Sequence, residues 1–304
     1  MNKDELSNDL LPFTTNDSLE PIKILDLIEI NLKHILNSPE LQSFIQIVKG
    51  DLYNRDYLSA FNSDEKRFAY VARWTPARAL SYSSLFSSLK PIKALLQEPI
   101  QIKNVLCIGG GAGSELIGLS SVFCRLKEYN SSSSSEIHIN IIDIANWSTV
   151  INHFTKYIKE NWLYHGEKLS TNFICDDILI TNTDLQLNNL DLITILFTTN
   201  ELFTEKRKET IKLLQKLNDN CKSGTLLLIA ESAGSYSHII IGERKFPIQF
   251  LIDTILVGKP NENNGVWEIV NSSESCWYRI NQKEVEYSMK LENMRFFYRL
   301  YRKK

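Results

Sequence analysis

The stretch Val105-Leu-Cys-Ile-Gly-Gly-Gly-Ala-Gly-Ser-Glu115 constrains this chain more than any other. Val105 to Ile108 is an apolar run that reads as a short buried strand. Gly109 to Gly113 follows with four glycines in five residues, and Ser114-Glu115 opens a helix. Glycine lacks Cβ, so it permits positive φ and lets a ligand approach the main chain closely. The amides of the helix N-terminus point toward that ligand. One glycine would suit an ordinary strand-to-helix turn. Four, directly after a strand, predict a nucleotide-type cofactor pocket after the first strand of an α/β sheet.

Spacing separates the cofactors. A dinucleotide fingerprint needs Gly or Ala three residues after its second glycine. Counted from Gly109 and Gly111, that place holds Ser114. The G-x-G-x-G of Gly109, Gly111 and Gly113 resembles instead the first motif of class I methyltransferases, which bind S-adenosylmethionine. That superfamily usually carries an acid two places before the first glycine, where this chain has Cys107. The resemblance implies that Gly109, Gly110, Gly111 and Gly113 border the donor. A side chain at Gly111 is expected to project into the donor's space.

The following segments fit the same sheet. Glu136 to Ile142 alternates and reads as a second strand ending in Asp143, an acid placed to accept hydrogen bonds from ribose hydroxyls. It lies 30 residues beyond Gly113, more than the usual ~20. The serine tract Ser131 to Ser135 reads as a surface insertion that explains the excess. Thr171 to Cys175 is a third strand ending in Asp176-Asp177, one of which the superfamily would set against the adenine amino group. Leu190 to Phe197 is a fourth strand, running into Thr198-Thr-Asn-Glu-Leu-Phe203. Ligands sit beyond the carboxyl ends of such strands, where strand order reverses. Thr198 is therefore expected at the donor, and Asn200 and Glu201 near the transferred methyl. Thr204 is expected to cap a helix over Glu205 to Cys221. Thr225 to Glu231 reads as a fifth strand. Ser275 to Ile280 and Asn293 to Arg302 read as two last strands close enough for a hairpin. The expected fold is α/β, a class I (Rossmann-like) methyltransferase domain over residues 99–304. Its sheet would have seven mostly parallel strands with the last antiparallel. A helical segment, 1–98, would precede it, with 1–17 polar and loose.

Arginines and aromatics interleave in Arg67-Phe-Ala-Tyr-Val-Ala-Arg-Trp-Thr-Pro-Ala-Arg-Ala-Leu-Ser-Tyr82. Thr75-Pro76 is expected to start a helix with Arg78 and Tyr82 one turn apart on one face. Such a mixture suits phosphate pairing and base stacking, but composition alone favours a packing helix whose aromatics are core and whose arginines pair with acids. With a net charge of −2 there is no global basic field, so any nucleic-acid contact needs a local patch. The five cysteines show no C-x-x-C pair and no metal spacing, which reads as reduced thiols in an intracellular protein. The N-terminal MNKDELSNDLL lacks an apolar signal region, and no apolar run reaches membrane-spanning length.

Three stretches together resemble a fungal family of methyltransferases acting on large-subunit ribosomal RNA, which includes the 25S rRNA uridine-N3 methyltransferases. They are Arg73-Trp-Thr-Pro-Ala-Arg-Ala-Leu-Ser-Tyr82, Leu106-Cys-Ile-Gly-Gly-Gly-Ala-Gly-Ser-Glu115 and Phe197-Thr-Thr-Asn-Glu-Leu-Phe203. The resemblance covers roughly Ala60 to the C-terminus. It implies S-adenosylmethionine as donor, ribosomal RNA in a pre-ribosomal particle as partner, and a nucleolar place of work. A monomer without a metal is expected. Arg73, Trp74, Arg78 and Tyr82 would meet the RNA, with Tyr70, Trp74 and Tyr82 as stacking candidates. Uridine N3 carries a proton that must leave before it can act as a nucleophile, so Glu201 is the candidate base and Asn200 a candidate to orient the uracil carbonyls. N3 lies on the pairing edge, so the base must be unpaired or flipped out. Another RNA atom, a nucleotide-binding oxidoreductase and a non-catalytic assembly factor remain as alternatives.

Overall fold

The computed structural model describes residues 9–99, 101–128, 134–163, 165–234, 238–241, 244–259, 262 and 264–304. Most of the serine tract, residues 1–8, the end of the loop after Glu231 (235–237) and parts of the 261–265 turn lie outside the described residues.

The first element among the described residues is a two-residue strand, β1 (Leu10–Leu11). It pairs in parallel with a late strand, Leu11 opposite Tyr278, and Leu11 is buried. The described part of the 1–17 stretch is therefore docked, not loose. Helices α1 (Pro21–Asn31), α2 (Lys33–Leu36) and α3 (Leu41–Tyr53) follow. Proline starts α1, where a missing N–H costs nothing, and Ile24, Leu25, Leu27 and Ile28 form its buried face. A short α4 (Tyr57–Ala60) is capped by Asp56, which accepts from the Ser59 amide at 3.0 Å.

The 25-residue helix α5 (Asp64–Ser88) corrects the expectation of a start at Thr75-Pro76. Ser63 caps it, and Asp64 and Glu65 complement the dipole in its first turn. Pro76 sits inside. A mid-helix proline leaves the carbonyl four residues back without its donor. Here the Tyr287 hydroxyl donates to that carbonyl, Ala72 O, at 2.7 Å. A side chain distant in sequence thus keeps the helix continuous, which local signals could not show.

After α6 (Lys90–Gln97), strands alternate with helices: β2 (Ile102–Ile108), α7 (Ser114–Glu128), β3 (Glu136–Asp143), α8 (Ser148–Asn161), β4 (Leu169–Cys175), β5 (Leu192–Leu196), α9 (Thr199–Glu205), α10 (Arg207–Asn220) and β6 (Leu226–Ser232). Then come a small hairpin, β7 (His238–Ile241) and β8 (Arg244–Pro247), helix α11 (Ile248–Leu256), and the long strands β9 (Trp267–Tyr278) and β10 (Met294–Lys303). The sheet order is β1-β9-β10-β6-β5-β2-β3-β4. β6-β5-β2-β3-β4 are parallel, and β10 is antiparallel to both β6 and β9. The sheet has eight strands, one more than expected. The addition is β1, whose two residues are too short for any periodic signal.

Strand β2 is buried on both faces, as parallel strands usually are. Val105 and Cys107 join the core under α5, α7 and α8, while Leu106 and Ile108 join the core under α10 and α11. The end of β5 differs from expectation. A helix, α9, begins at Thr199, so the stretch Thr199–Glu205 is helical and Lys206 precedes the next helix, with no cap at Thr204.

Candidate active site

From β2 the chain runs outward to β3 and β4, then returns to the opposite side of β2 as β5. The carboxyl ends of β2 and β5 therefore flank the point where strand order reverses, the expected place for a ligand. A cavity opens there. Its walls come from the glycine turn, the ends of β3, β4 and β5, helix α9, Tyr57 of α4, Phe61 just after it, and Tyr70, Arg78 and Tyr82 of α5.

Each glycine of the turn answers to a particular neighbour. Gly109 has φ +75°, and a Cβ there would lie 2.2 Å from Thr198 Oγ1. Gly113 has φ +82°, and its Cβ would lie 2.7 Å from Phe154. A Cβ on Gly111 would fall 1.9 Å from the Trp147 ring. This corrects the expectation for Gly111: the space it keeps clear belongs to Trp147. Gly109 and Gly110 line the cavity, whereas Gly111 and Gly113 support the turn from behind. The Gly111 amide donates to Asp143 Oδ2 at 3.0 Å, and Thr75 of α5 donates to Ala112 O at 3.0 Å. Both contacts hold the turn to its surroundings.

The lining is acidic. Glu115, Asp143, Asp176, Asp177, Glu201 and Glu205 face Arg78 and Lys206. Asp143 also accepts from the Ala145 amide at 3.1 Å. Burial pushes its carboxyl up, against the pull of these amides. Asp176 accepts from the Asp177 amide at 2.8 Å and from the Thr181 hydroxyl. Asp177 takes the Leu179 amide at 2.9 Å and the Lys206 ammonium at 2.7 Å. Glu201, in the first turn of α9, is pushed up to about 8 by burial and by the nearby charges of Glu231 and Asp143. Glu231 is buried on β6 and accepts from the Asn200 amide at 3.1 Å, so it fixes the start of α9. The Asn200 side chain is not among the cavity lining. Thr198 is, beside the turn that Gly109 opens for it.

Glu115 is the residue that sequence reasoning passed over. As an acid in the first turn of α7 it reads as a partner for the helix dipole. It is 4% exposed, its Oε1 has no hydrogen-bond partner among the described residues, and burial pushes its carboxyl up to about 8. Its carboxyl carbon lies 3.6 Å from where a Gly110 Cβ would stand, close to Cys107. The following helix thus brings a carboxyl to the neighbourhood of Cys107. A second missed residue is Phe197, held at φ +57° at the end of β5. Bulky side chains rarely adopt this region, and such strain concentrates at functional sites.

The residues expected to meet RNA divide. Tyr82 is 1% exposed and forms cavity wall beneath Phe197, so it is core and not a surface for a base. Tyr70 is nearly buried too, and the Arg78 guanidinium donates to its hydroxyl. Arg78 also lies 5.3 Å from the Phe197 ring centroid. Arg73 and Trp74 miss the main cavity and line an adjoining groove, where Arg73 pairs with Glu292 at 2.5 Å.

The class follows from sheet order and site together. Strand order, glycine turn and acidic lining define a class I methyltransferase. The lining also tests the donor. S-adenosylmethionine carries a sulfonium, which an acidic lining favours, and an ammonium, which can donate to the orphaned buried carboxyl oxygen of Glu115. A dinucleotide pyrophosphate would meet like charge. The residues present fit the sulfonium donor.

Comparison with known proteins agrees. Residues 28–302 match the family described as "Putative SAM-dependent methyltransferase", and the chain belongs to that family. It is 48% identical over 322 aligned positions to the 25S rRNA (uridine(2843)-N(3))-methyltransferase of Saccharomyces cerevisiae, covering 96% of this chain and 88% of the relative. Among solved structures it is similar to the N-methyltransferase NodS of Bradyrhizobium japonicum in complex with S-adenosyl-L-homocysteine. That likeness has 15% identity and a TM-score of 0.42, over 86% of this chain and 98% of the other. The cofactor is S-adenosylmethionine. Among the described residues no helix is long and apolar enough to cross a membrane, and no group of three or more His, Cys, Asp or Glu could hold a metal.

Proposed function

We propose that this chain, acting as a monomer in the nucleolus, methylates N3 of a uridine in large-subunit ribosomal RNA. The observation that carries this reading is the extent of the yeast relative, 48% identical across 96% of the chain. The site chemistry supports it.

Gly109, Gly110 and Glu115 would hold the amino-acid end of the donor, Asp143 its ribose, and Asp176 or Asp177 its adenine. S-adenosylmethionine supplies, when bound, the electrophilic methyl group on sulfur. Glu201 accepts the proton that N3 must lose. A base works best with a pKa near the operating pH, and burial beside Glu231 brings Glu201 to about 8. A cation sharing the cavity favours its ionised form. Glu231 acts through position, because its carboxylate anchors the first turn of α9. The uridine must be unpaired to reach this depth. Orientation of two bound reactants supplies much of the rate.

Mass-spectrometric mapping of methylated nucleosides in ribosomal RNA, with and without the gene, tests the proposal. One 3-methyluridine should vanish on deletion and return with the wild-type chain. An unchanged map would end this reading and leave a different RNA atom or an assembly role.

A further inference from the structure

Two exposed arginines on the last strand pair have no place in the site described above. Arg279 and Arg295 both lie against Trp277, their guanidinium carbons 4.5 Å and 5.5 Å from its ring centroid. The register explains this. Arg295 of β10 stands directly opposite Trp277 of β9. Ser275 and Trp277 share one face of β9 by its period of two, with Arg279 following the strand's last residue, while Cys276 and Tyr278 point into the core at 0% exposure. Ser275 Oγ accepts from Arg295 Nε at 2.8 Å, which fixes that side chain on the outer face. Neither arginine has an ion pair with a carboxylate among the described residues. The other cations of β10 are engaged: Arg299 with Asp253 and Glu274, Arg302 with Glu268, and Lys303 with Asn218 O.

The position of this cluster matters as much as its composition. β10 runs antiparallel to β6, with Phe296 opposite Ser232. The start of β10 therefore lies at the carboxyl end of β6, on the same rim as the donor cavity. Arg295 also lines the groove that contains Arg73, Trp74, Arg78 and Phe197. Three arginines line that groove against one carboxylate, Glu292. Arg78 and Phe197 belong to both groove and cavity. Arg295, Arg78 and Phe197 thus link Trp277, through the groove, to the donor cavity.

We infer that the Arg279–Trp277–Arg295 cluster and the Arg73–Trp74 groove form a track for the single-stranded RNA flanking the target nucleotide. This rests on the reading that the substrate is RNA. Single strands are held by guanidinium–phosphate contacts combined with base stacking on aromatic side chains or guanidinium planes. The cluster offers both without further arrangement. Two arginines lacking acidic partners among the described residues keep their charge for phosphate, and both already lie against the Trp277 indole. Phe197 then marks the point where the strand turns from groove to cavity.

The test uses the full chain and a fluorescein-labelled uridine homopolymer of about twelve nucleotides, a length matching single-strand binding sites, read by anisotropy over a salt series. Both arginines are exposed, so the Arg279→Ser/Arg295→Ser double variant should fold. Calorimetry with S-adenosylhomocysteine should give wild-type donor affinity. RNA affinity should fall about tenfold or more, and the salt dependence should flatten by about 0.7 for each lost phosphate contact. Trp277→Ala should lose affinity with little change in salt slope, and Trp277→Phe should recover most of it. The track is wrong if the variants bind the RNA like wild type, or if the wild type binds the donor and no RNA. Either result leaves the methyltransferase reading standing. Conversely, a track that binds RNA while the 3-methyluridine map stays unchanged on deletion would sink the uridine-N3 proposal and keep the track.

Discussion

Two parts of the same rim are built by different means. At the glycine turn, Gly109, Gly111 and Gly113 are each fitted to one buried neighbour, Thr198, Trp147 and Phe154, at distances that leave no room for a Cβ. From Trp277 to Arg73, by contrast, exposed and half-buried side chains lean on each other through cation–aromatic contacts and, among the described residues, a single ion pair. The donor is one invariant small molecule, and a rigid cradle of main chain suits it. A polynucleotide presents phosphates and ring faces at positions that shift with sequence, which adaptable arginines suit better. Substitutions in the turn should therefore act through packing, and those on the rim through charge.

The largest effect is expected at the turn. Gly111→Arg forces a side chain into Trp147 and should destabilise the protein by about 3 kcal/mol, the upper range for overpacking. S-adenosylhomocysteine binding should be lost in calorimetry. A folded variant that still binds would show that Trp147 yields, and the contrast with the rim would blur. Next comes Glu201→Gln, expected to lower kcat by about 10²- to 10⁴-fold, the range of a lost general base, with donor affinity nearly unchanged. Full activity would remove Glu201 as the base.

On the proposed binding mode, Glu115→Gln removes a charge-assisted contact to the donor's ammonium and should weaken donor binding by about tenfold, from a typical value near 1.5 kcal/mol. It also sharpens the comparison through pH. The folded protein holds Glu115 and Glu201 protonated up to about 8, whereas the unfolded chain releases those protons in the ordinary carboxylate range. The native state thus binds more protons between these limits, and donor-free stability should fall as pH rises through that window. Thermal melts of Glu115→Gln should show a shallower decline. An identical slope would place its carboxyl in water. The smallest effect is expected at a brace of α5, one residue before Arg73. Tyr287→Phe leaves Ala72 O without its donor and should cost about 1 kcal/mol, a drop in Tm of about 2 °C, with methylation unaffected.

Much of the site was legible because it is local. The turn from Gly109 to Gly113, Asp143 at the end of β3, Asp176-Asp177 after β4, and Thr198 and Glu201 after β5 are strand ends, and strand ends can be read from apolar runs and their punctuation. All of them line or brace one cavity. What escaped reading was non-local. Glu115 is like any acid in a helix's first turn until its burial is known. The continuity of α5 through Pro76 depends on Tyr287, 215 residues from the carbonyl it reaches. Tyr82 and Trp74 look alike as aromatics on one stretch, yet one is core and the other borders a groove.

The sequence by itself determined the α/β class, the glycine turn and the acidic strand ends, because short-range sterics and hydrophobic period act within a few residues. Only the tertiary structure decided that Gly111 serves Trp147, that the Glu115 carboxyl is buried close to Cys107, and that Arg279 and Arg295, without a carboxylate partner among the described residues, flank Trp277 on the cavity's rim. Those outcomes depend on which surfaces are pressed together, and burial and neighbouring charge exist only once the sheet has closed.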